Sequence, residues 1–415
     1  MDGTGRYDSA SYSQLEKSFI VCTSPFVLVV SFDRLPVSAL SCYGGISAET
    51  PYLDRLASTG VVFDAHVLEN LDPNDSKHAW WTGNYEHLTA DSSSSPNLFD
   101  FLATNGVEYR VISCGPHASV PWPDREGIER HEIEEGDIHD HIFRKASEQL
   151  RVWRDEASNF PRLLWVHVPG FADPTDIATW GPFPPESGLD EETTRTLEQH
   201  TRDAQTWSQT QVEHWRALQR YRVTQWDVQI GKLADELRTL TANGTLIITA
   251  ANGEMPIFSS LLPECPTEQS TSRVQTPFII AGNSISEAVR RSELTQPVDF
   301  APTLLKILTD TPSPSGWPGR NLGEFLSSDP HAKFPWDRET AFFGGSAAGR
   351  FGVRTLNFHL AIQASGADFW EDDAMLFQLP DDPHGIYNIA RQQPEVVEQL
   401  IQEYREFRIA VEKNG

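Results

Sequence analysis

The chain has 415 residues, enough to bury a large core divided between more than one compact unit. Its 33 basic and 59 acidic residues give a formal charge of −26, a surface that repels phosphate backbones and argues against a general nucleic-acid role. No apolar run reaches the ~20 residues of a membrane span, and Cys22, Cys42, Cys114 and Cys265 form no CxxC pair, so they read as reduced thiols.

The opening residues MDGTGRYDSASYSQLEK lack a basic n-region and an apolar h-region, so a cytoplasmic protein is expected. Phe26–Val30 is a continuous apolar run, the mark of a strand buried on both faces. Asp33 follows where that strand leaves the sheet, the place where open α/β folds bind ligands. Thr50-Pro51 opens a short helix, with Thr50 as its cap, and Val61–Phe63 is the next strand. Asn70 to Tyr85 reads as irregular and polar, and Asp91 to Pro96 as a Ser-rich loop. A helix over Asn97–Asn105 and a strand over Tyr109–Ser113 follow. Arg162–Val168 is a strand leading into a Pro-rich acidic loop, Pro169 to Asp190. Glu191–Leu240 is helical, with Trp226, Ile230, Leu233, Leu237 and Leu240 on one face. Thr245–Thr249 is a strand that brings Ala250-Ala251-Asn252-Gly253-Glu254 to the sheet edge of Asp33. Thr276–Ala281 is another, and Asp299 is placed to cap the helix after it. The repeated helix–Gly–strand order indicates an α/β fold with a largely parallel sheet.

Beyond the breaker cluster Thr311–Gly319 the pattern changes. Ala341–Phe343, Arg350–Thr355, Phe358–Ile362 and Met375–Leu379 are short strands separated by turn residues, an antiparallel meander, and Pro394–Phe407 is a closing helix. The expected organisation is an N-terminal extension (1–20), an α/β domain (21–325) and a smaller α+β unit (335–415).

Several stretches, in order, resemble the sulfatase family of the alkaline phosphatase superfamily. VLVVSFDRLPVSALSCYGGISAETPYLDRLASTGVVFDAHV is similar to the family's first metal strand and the helix after it. WWTGNY is similar to the "LLTGRY" that follows the nucleophile. YRVTQWDVQIGKLADEL…TLIITAANGE, PFIIAGNSISEAVRRSELTQPVDFAPTLLKIL and MLFQLPDDPHGIYNIA resemble later family segments. The resemblance implies an alkaline-phosphatase-like α/β/α sandwich with a mixed, mostly parallel sheet and a small C-terminal antiparallel-sheet subdomain. It also implies a formylglycine nucleophile made from a cysteine or serine in C/S-x-P-S-R, and a calcium ion.

Counting back from Thr82-Gly83, that motif falls on Pro73-Asn74-Asp75-Ser76-Lys77. Pro73, at the nucleophile position, has no heteroatom to oxidise, and a one-residue slip gives Asp72, no better. Lys77 keeps the charge of the family arginine as a point charge. Of the metal positions, Asp33 and Asn252 remain, whereas Arg34 stands beside Asp33 and Ala251 replaces an aspartate. Calcium needs six or more oxygens, several of them anionic, so no cofactor is expected unless this residual site functions. No histidine follows RLLWVHV where the family places one, and His66, His167 and His359 are read as core histidines. Trp80 and Trp81 line a pocket or pack in the core, and Glu254 faces solvent.

Asp33 is read as an ion-pair partner of Arg34, Lys77 or another base in preference to a metal ligand. Lys77 either holds an anion, with Arg34 as a second anion-binding candidate, or bridges to Asp33. Ser76 and His78 are the other residual polar groups beside the degenerate nucleophile position. The first functional expectation is a sulfatase-like pseudoenzyme binding a protein or a small anionic ligand, with no nucleic-acid or membrane partner. The alternatives are a metal-dependent hydrolase of a sulfate or phosphate ester, rebuilt on Asp33, Asp72 or Asp75, His78 and Asn252, or a scaffold using the acidic loop Asp173–Glu192.

Overall fold

The computed structural model describes residues 24–85, 88, 97–114, 122–131, 137–156, 159–169, 208–253, 270–283, 285, 288–326, 336–345, 350–363 and 374–414. The Ser-rich loop at 91–96, the acidic loop beyond Pro169, Glu254, Cys22 and Cys265 lie outside them, as does the N-terminal extension. Eight strands form one sheet: β1 (Phe26–Arg34), β2 (Gly60–His66), β3 (Glu108–Cys114), β4 (Ile128–His131), β5 (Arg162–Val168), β6 (Gly244–Asn252), β7 (Phe278–Gly282) and β8 (Val289–Thr295). Their order is β4-β3-β5-β1-β6-β7-β2-β8. Neighbouring strands run parallel except β7, which is antiparallel to both β6 and β2. The sheet is therefore mixed and mostly parallel.

Alternation along β1 sends its side chains into two cores. Phe26, Leu28, Val30 and Phe32 join a cluster with Ile142, Leu150, Trp226 and Ile230. Those four come from α4 (Ile138–Asp155) and α5 (Gln209–Leu240). Val27 and Val29 join Trp80, Leu98, Phe99, Phe300 and Leu304 on the other face. Here the covering helices are α2 (Pro73–Thr82), α3 (Leu98–Thr104) and α6 (Phe300–Thr309). Each such buried aliphatic side chain contributes about 1.5–3 kcal/mol. This is the expected three-layer arrangement.

A second sheet, β12-β11-β10-β9, is the antiparallel meander: β9 (Ala341–Gly344), β10 (Arg350–Arg354), β11 (Phe358–Gln363) and β12 (Ala374–Gln378). Helix α7 (Pro394–Asn414) covers one face through Val397, Leu400, Ile401 and Tyr404. On the other side, Ala341 and Phe343 pack with Val67, Leu68 and Leu71. No helix among the described residues is long and apolar enough to cross a membrane.

Three local expectations change. The stretch after Asn70 is not irregular: Pro73 opens helix α2, a residue type suited to the first helical position. Its polar sequence hides it, because the buried side includes Ser76 and Lys77 as well as Ala79 and Trp80. Thr50 does not cap α1 (Pro51–Ala57); its hydroxyl instead bonds Ser41. The capping carboxylate comes from α5, where Asp227 accepts from Tyr52 N at 3.0 Å and Leu53 N at 2.7 Å. Likewise Asp299 makes no side-chain cap to α6. It serves a wider network taken up in the Discussion. Strands β4 and β8 and helix α4 are additional elements. The two strands are short or charged and sit at the sheet edges, where alternation is weak.

The α1–α5 contact is close. A Cβ on Gly231 would lie 2.3 Å from the Tyr52 ring. Substituting Asp227→Ala leaves the Tyr52 and Leu53 N–H groups without acceptors, an expected loss of about 1–3 kcal/mol in urea unfolding.

His66 is fully buried, with Nδ1 bonded to Thr295 Oγ1 at 2.9 Å and its ring against Phe278. Burial pushes it down from 6.5 to about 3, with Asp299 opposing the shift and Arg338 adding to it. Between those values the unfolded chain takes up a proton that the folded one refuses. Stability is thus fully present above 6.5 and declines as pH falls toward 3, by about 1.4 kcal/mol per unit for this group. A His66→Gln variant is expected to show a flatter urea-midpoint profile from pH 6.5 to 4.5, whereas an unchanged slope would assign that dependence elsewhere.

Candidate functional site

Strand β1 extends further than its apolar run suggests, and Asp33 is its next-to-last residue. It shares a face with Ser31, Val29 and Val27. Register places Ser31 beside His167 of β5, and alternation puts Trp165 on the same side. The result is a continuous hydrogen-bonded chain. The Trp165 indole N–H donates to Ser31 Oγ at 2.8 Å. Ser31 Oγ and His167 Nδ1 are 2.9 Å apart, and His167 Nε2 lies 3.1 Å from Asp33 Oδ1. Lys77 Nζ donates to that same oxygen at 2.6 Å.

The ends of the chain fix its direction. An indole only donates and an ionised carboxylate only accepts. Ser31 O–H therefore donates to Nδ1, and the neutral His167 ring donates Nε2–H to Asp33. Burial lowers the His167 pKa and outweighs the opposing pull of Asp33, which keeps the imidazole neutral. Burial by itself would raise the Asp33 carboxyl, but the Lys77 ammonium and His167 outweigh it and hold the group well below the usual carboxylate range.

Ser31, His167 and Asp33 have the connectivity of a nucleophilic triad. Ser31 nevertheless lies fully buried in the central strand, with Trp165 on its oxygen. The chain positions Asp33; it does not present a nucleophile. Trp80 and Trp122 set their ring edges against His167, with centroids 6.0 and 5.8 Å away. Trp122 also packs on Trp81 at 4.7 Å. Trp80 and Trp81 are both core residues.

The other candidates separate from Asp33. Among the described residues, the side chains bonded to it are Lys77 and His167, not Arg34. Arg34 pairs in register with Asn252 of β6, and alternation turns both away from the Asp33 face. Asn252 Nδ2 donates to Ala251 O at 2.9 Å, and its Oδ1 receives Arg273 Nε at 3.4 Å. Asn252 is thus engaged elsewhere, which corrects its pairing with Asp33 as a residual metal site. The backbone of residues 272–275 packs closely on Gly253, where a Cβ would meet Ser272 O at 2.3 Å. Arg34 as Asp33's neutralising base is likewise corrected. Lys77 is 2 % exposed, with its ammonium against Asp33, so as an anion holder it offers no open face.

Pro73 is the first residue of α2, and Ser76, one turn on, is fully buried with its hydroxyl donating to Ala251 O at 3.1 Å. His78 lies partly buried against Trp81. Asp72 is exposed and Asp75 half-buried. Among the described residues no three His, Cys, Asp or Glu side chains come together as a metal-binding group, so Asp33, Asp72, Asp75 and His78 do not form the rebuilt site.

The calcium that the family resemblance implies does not fit these residues. Calcium takes six to eight oxygens. Here one carboxylate already accepts an ammonium and an imidazole N–H, the second acidic position is Ala251, and the Asn252 oxygen faces a guanidinium. His167 was the residue that sequence reasoning missed as Asp33's neighbour. Its signal was two-residue spacing along two adjacent strands, which becomes readable only once their register is known.

The family described as Sulfatase matches residues 25–310. An N-acetylglucosamine-6-O-sulfatase from Bacteroides thetaiotaomicron is 22% identical, over 92% of this chain and 87% of that protein. Human steryl-sulfatase is 34% identical over 83 residues, 20% of this chain and 14% of its own length. Among solved structures, one in complex with its substrate D-glucosamine-2-N,6-O-disulfate superposes with TM-score 0.68 at 17% identity, covering 94% and 98% of the two chains. The phosphonate monoester hydrolase of Agrobacterium radiobacter gives 0.64 at 16% identity, covering 93% and 95%. At these identities the structural likeness shows the fold alone.

Proposed function

Because the chain belongs to the sulfatase family, we propose that it is a pseudoenzyme of that family, one that has left formylglycine chemistry and acts by binding. The observation that carries this reading is Pro73, at the nucleophile position and at the first position of α2. A pyrrolidine ring has no hydroxyl or thiol to oxidise to an aldehyde, and covalent catalysis needs an activated nucleophile. Asp72, the neighbour in the other register, has no such group either. The donor set around Asp33 supports the same reading, since a carboxylate already bonded to an ammonium and an imidazole N–H is a poor ligand for the divalent cation that would stabilise charge at the reacting group. The N-acetylglucosamine-6-O-sulfatase and steryl-sulfatase relatives carry the names of active enzymes. This chain keeps their fold around a different site. A protein partner is the ligand class in this reading, because Lys77, the candidate anion holder, is buried against Asp33; the reading calls for no cofactor.

The test is turnover of an aryl sulfate and an aryl phosphate by the purified protein with added calcium, zinc or manganese. No turnover above an Asp33→Ala control is expected. Metal-dependent turnover that disappears in Asp33→Ala overturns the proposal.

A further inference from the structure

We infer that Lys77 is a built-in cation: its ammonium occupies the coordination face of Asp33 that a divalent metal would otherwise take, and removing it turns the pocket into a site for an exchangeable metal ion. This rests on the reading of the site given above and deepens it.

The geometry provides three supports. First, Lys77 Nζ and His167 Nε2 converge on one oxygen, Asp33 Oδ1, at 2.6 and 3.1 Å. A metal ion bound to that oxygen meets a positive charge and an N–H proton instead of lone pairs. Second, Lys77 is delivered by a rigid element. It sits in the second turn of α2, with Ser76 tied to Ala251 O on β6 and Trp80 packed near Trp165 and Phe300. Lys77 itself is 2 % exposed, with its ammonium held inside the protein against Asp33. Third, the side chain left behind on deletion is a carboxylate beside an imidazole. With Lys77 gone, Asp33 is a buried carboxylate lacking its counter-ion, which takes up a proton unless a metal cation that fits is supplied to compete for it. Imidazole and carboxylate together suit manganese or zinc. The His167 ring can turn Nε2 into an acceptor by moving its proton to Nδ1, which then donates to the Ser31 Oγ lone pair that Trp165 leaves free while the Ser31 O–H turns away from Nδ1. Calcium remains a poor match to this two-ligand set.

The experiment is thermal unfolding of the full chain in chelator and in about 1 mM manganese, zinc or calcium. Wild type is expected to unfold at one temperature in all conditions. Lys77→Ala is expected to unfold lower in chelator and to gain about 2 °C or more with manganese or zinc. The response is expected to vanish in Asp33→Asn/Lys77→Ala. Wild-type protein that loses stability in chelator overturns the inference, as does Lys77→Ala with no metal response. Lys77→Met, closer to the lysine in volume, serves if the alanine variant does not fold, and the wild-type arm stands without either. Failure here leaves the turnover result untouched, and turnover without a wild-type metal response points to the pseudoenzyme reading as the one in error.

Discussion

Asp299→Ala is expected to lower folding stability by about 3–5 kcal/mol, read as the shift in urea midpoint multiplied by the slope. Asp299 is fully buried where the segment before α6 meets the second sheet. Its Oδ1 accepts from Arg320 N at 2.8 Å and from the Arg338 guanidinium at 2.7 Å. Its Oδ2 accepts from Gln296 N at 2.8 Å and from the other arm of Arg338. Burial alone would lower the Arg338 pKa, but Asp299 outweighs it and raises it. The alanine variant leaves a guanidinium and two backbone N–H groups inside the protein without their acceptor. By contrast, Arg144→Gln in the exposed Arg144–Glu148 pair is expected to leave the unfolding curve in place. Equal effects at the two sites would mean that Asp299 is not the anchor described.

The second large effect is at Lys77. Lys77→Met strands the Asp33 carboxylate in the core, again at about 3–5 kcal/mol. The sign at the partner is the more informative part. Asp33→Asn alone strands the ammonium, but Asp33→Asn/Lys77→Met removes both charges, and an apolar or amide pair of similar volume is often tolerated. The double variant is therefore expected to be more stable than either single one, with a coupling above about 1.4 kcal/mol. Additive losses would show that the two side chains act independently despite their 2.6 Å contact.

Much of the fold was legible in the chain. Val27–Val30, Leu163–Val166 and Leu246–Ile248 announce central parallel strands through unbroken apolar runs, and the meander after Ala341 announces itself through turns. The edge strands Ile128–His131 and Val289–Thr295 do not, because half of their side chains meet water. Helix α2 was hidden for a different reason: its inward side includes a charge, and no periodicity rule expects lysine in a core. Capping from a distance was also hidden. Asp227 lies 175 residues from Tyr52, so Thr50 was the local choice.

The site was half legible. Asp33 followed from strand position, and Lys77 was one of its possible partners beside Arg34. His167, Ser31 and Trp165 were out of reach, since each is an ordinary strand residue until β1 and β5 are set side by side. Asn252 misled because spacing along β6 says nothing of the Arg273 guanidinium that meets its oxygen.

In the folded protein an ammonium, and not a metal ion, balances Asp33. A crystal of the full chain grown with excess manganese tests it most directly, by anomalous scattering at that residue. Lys77 Nζ is expected in hydrogen-bond contact with Asp33 Oδ1, with no anomalous peak there. A peak at ligand distance from Asp33, with Lys77 displaced, would contradict it.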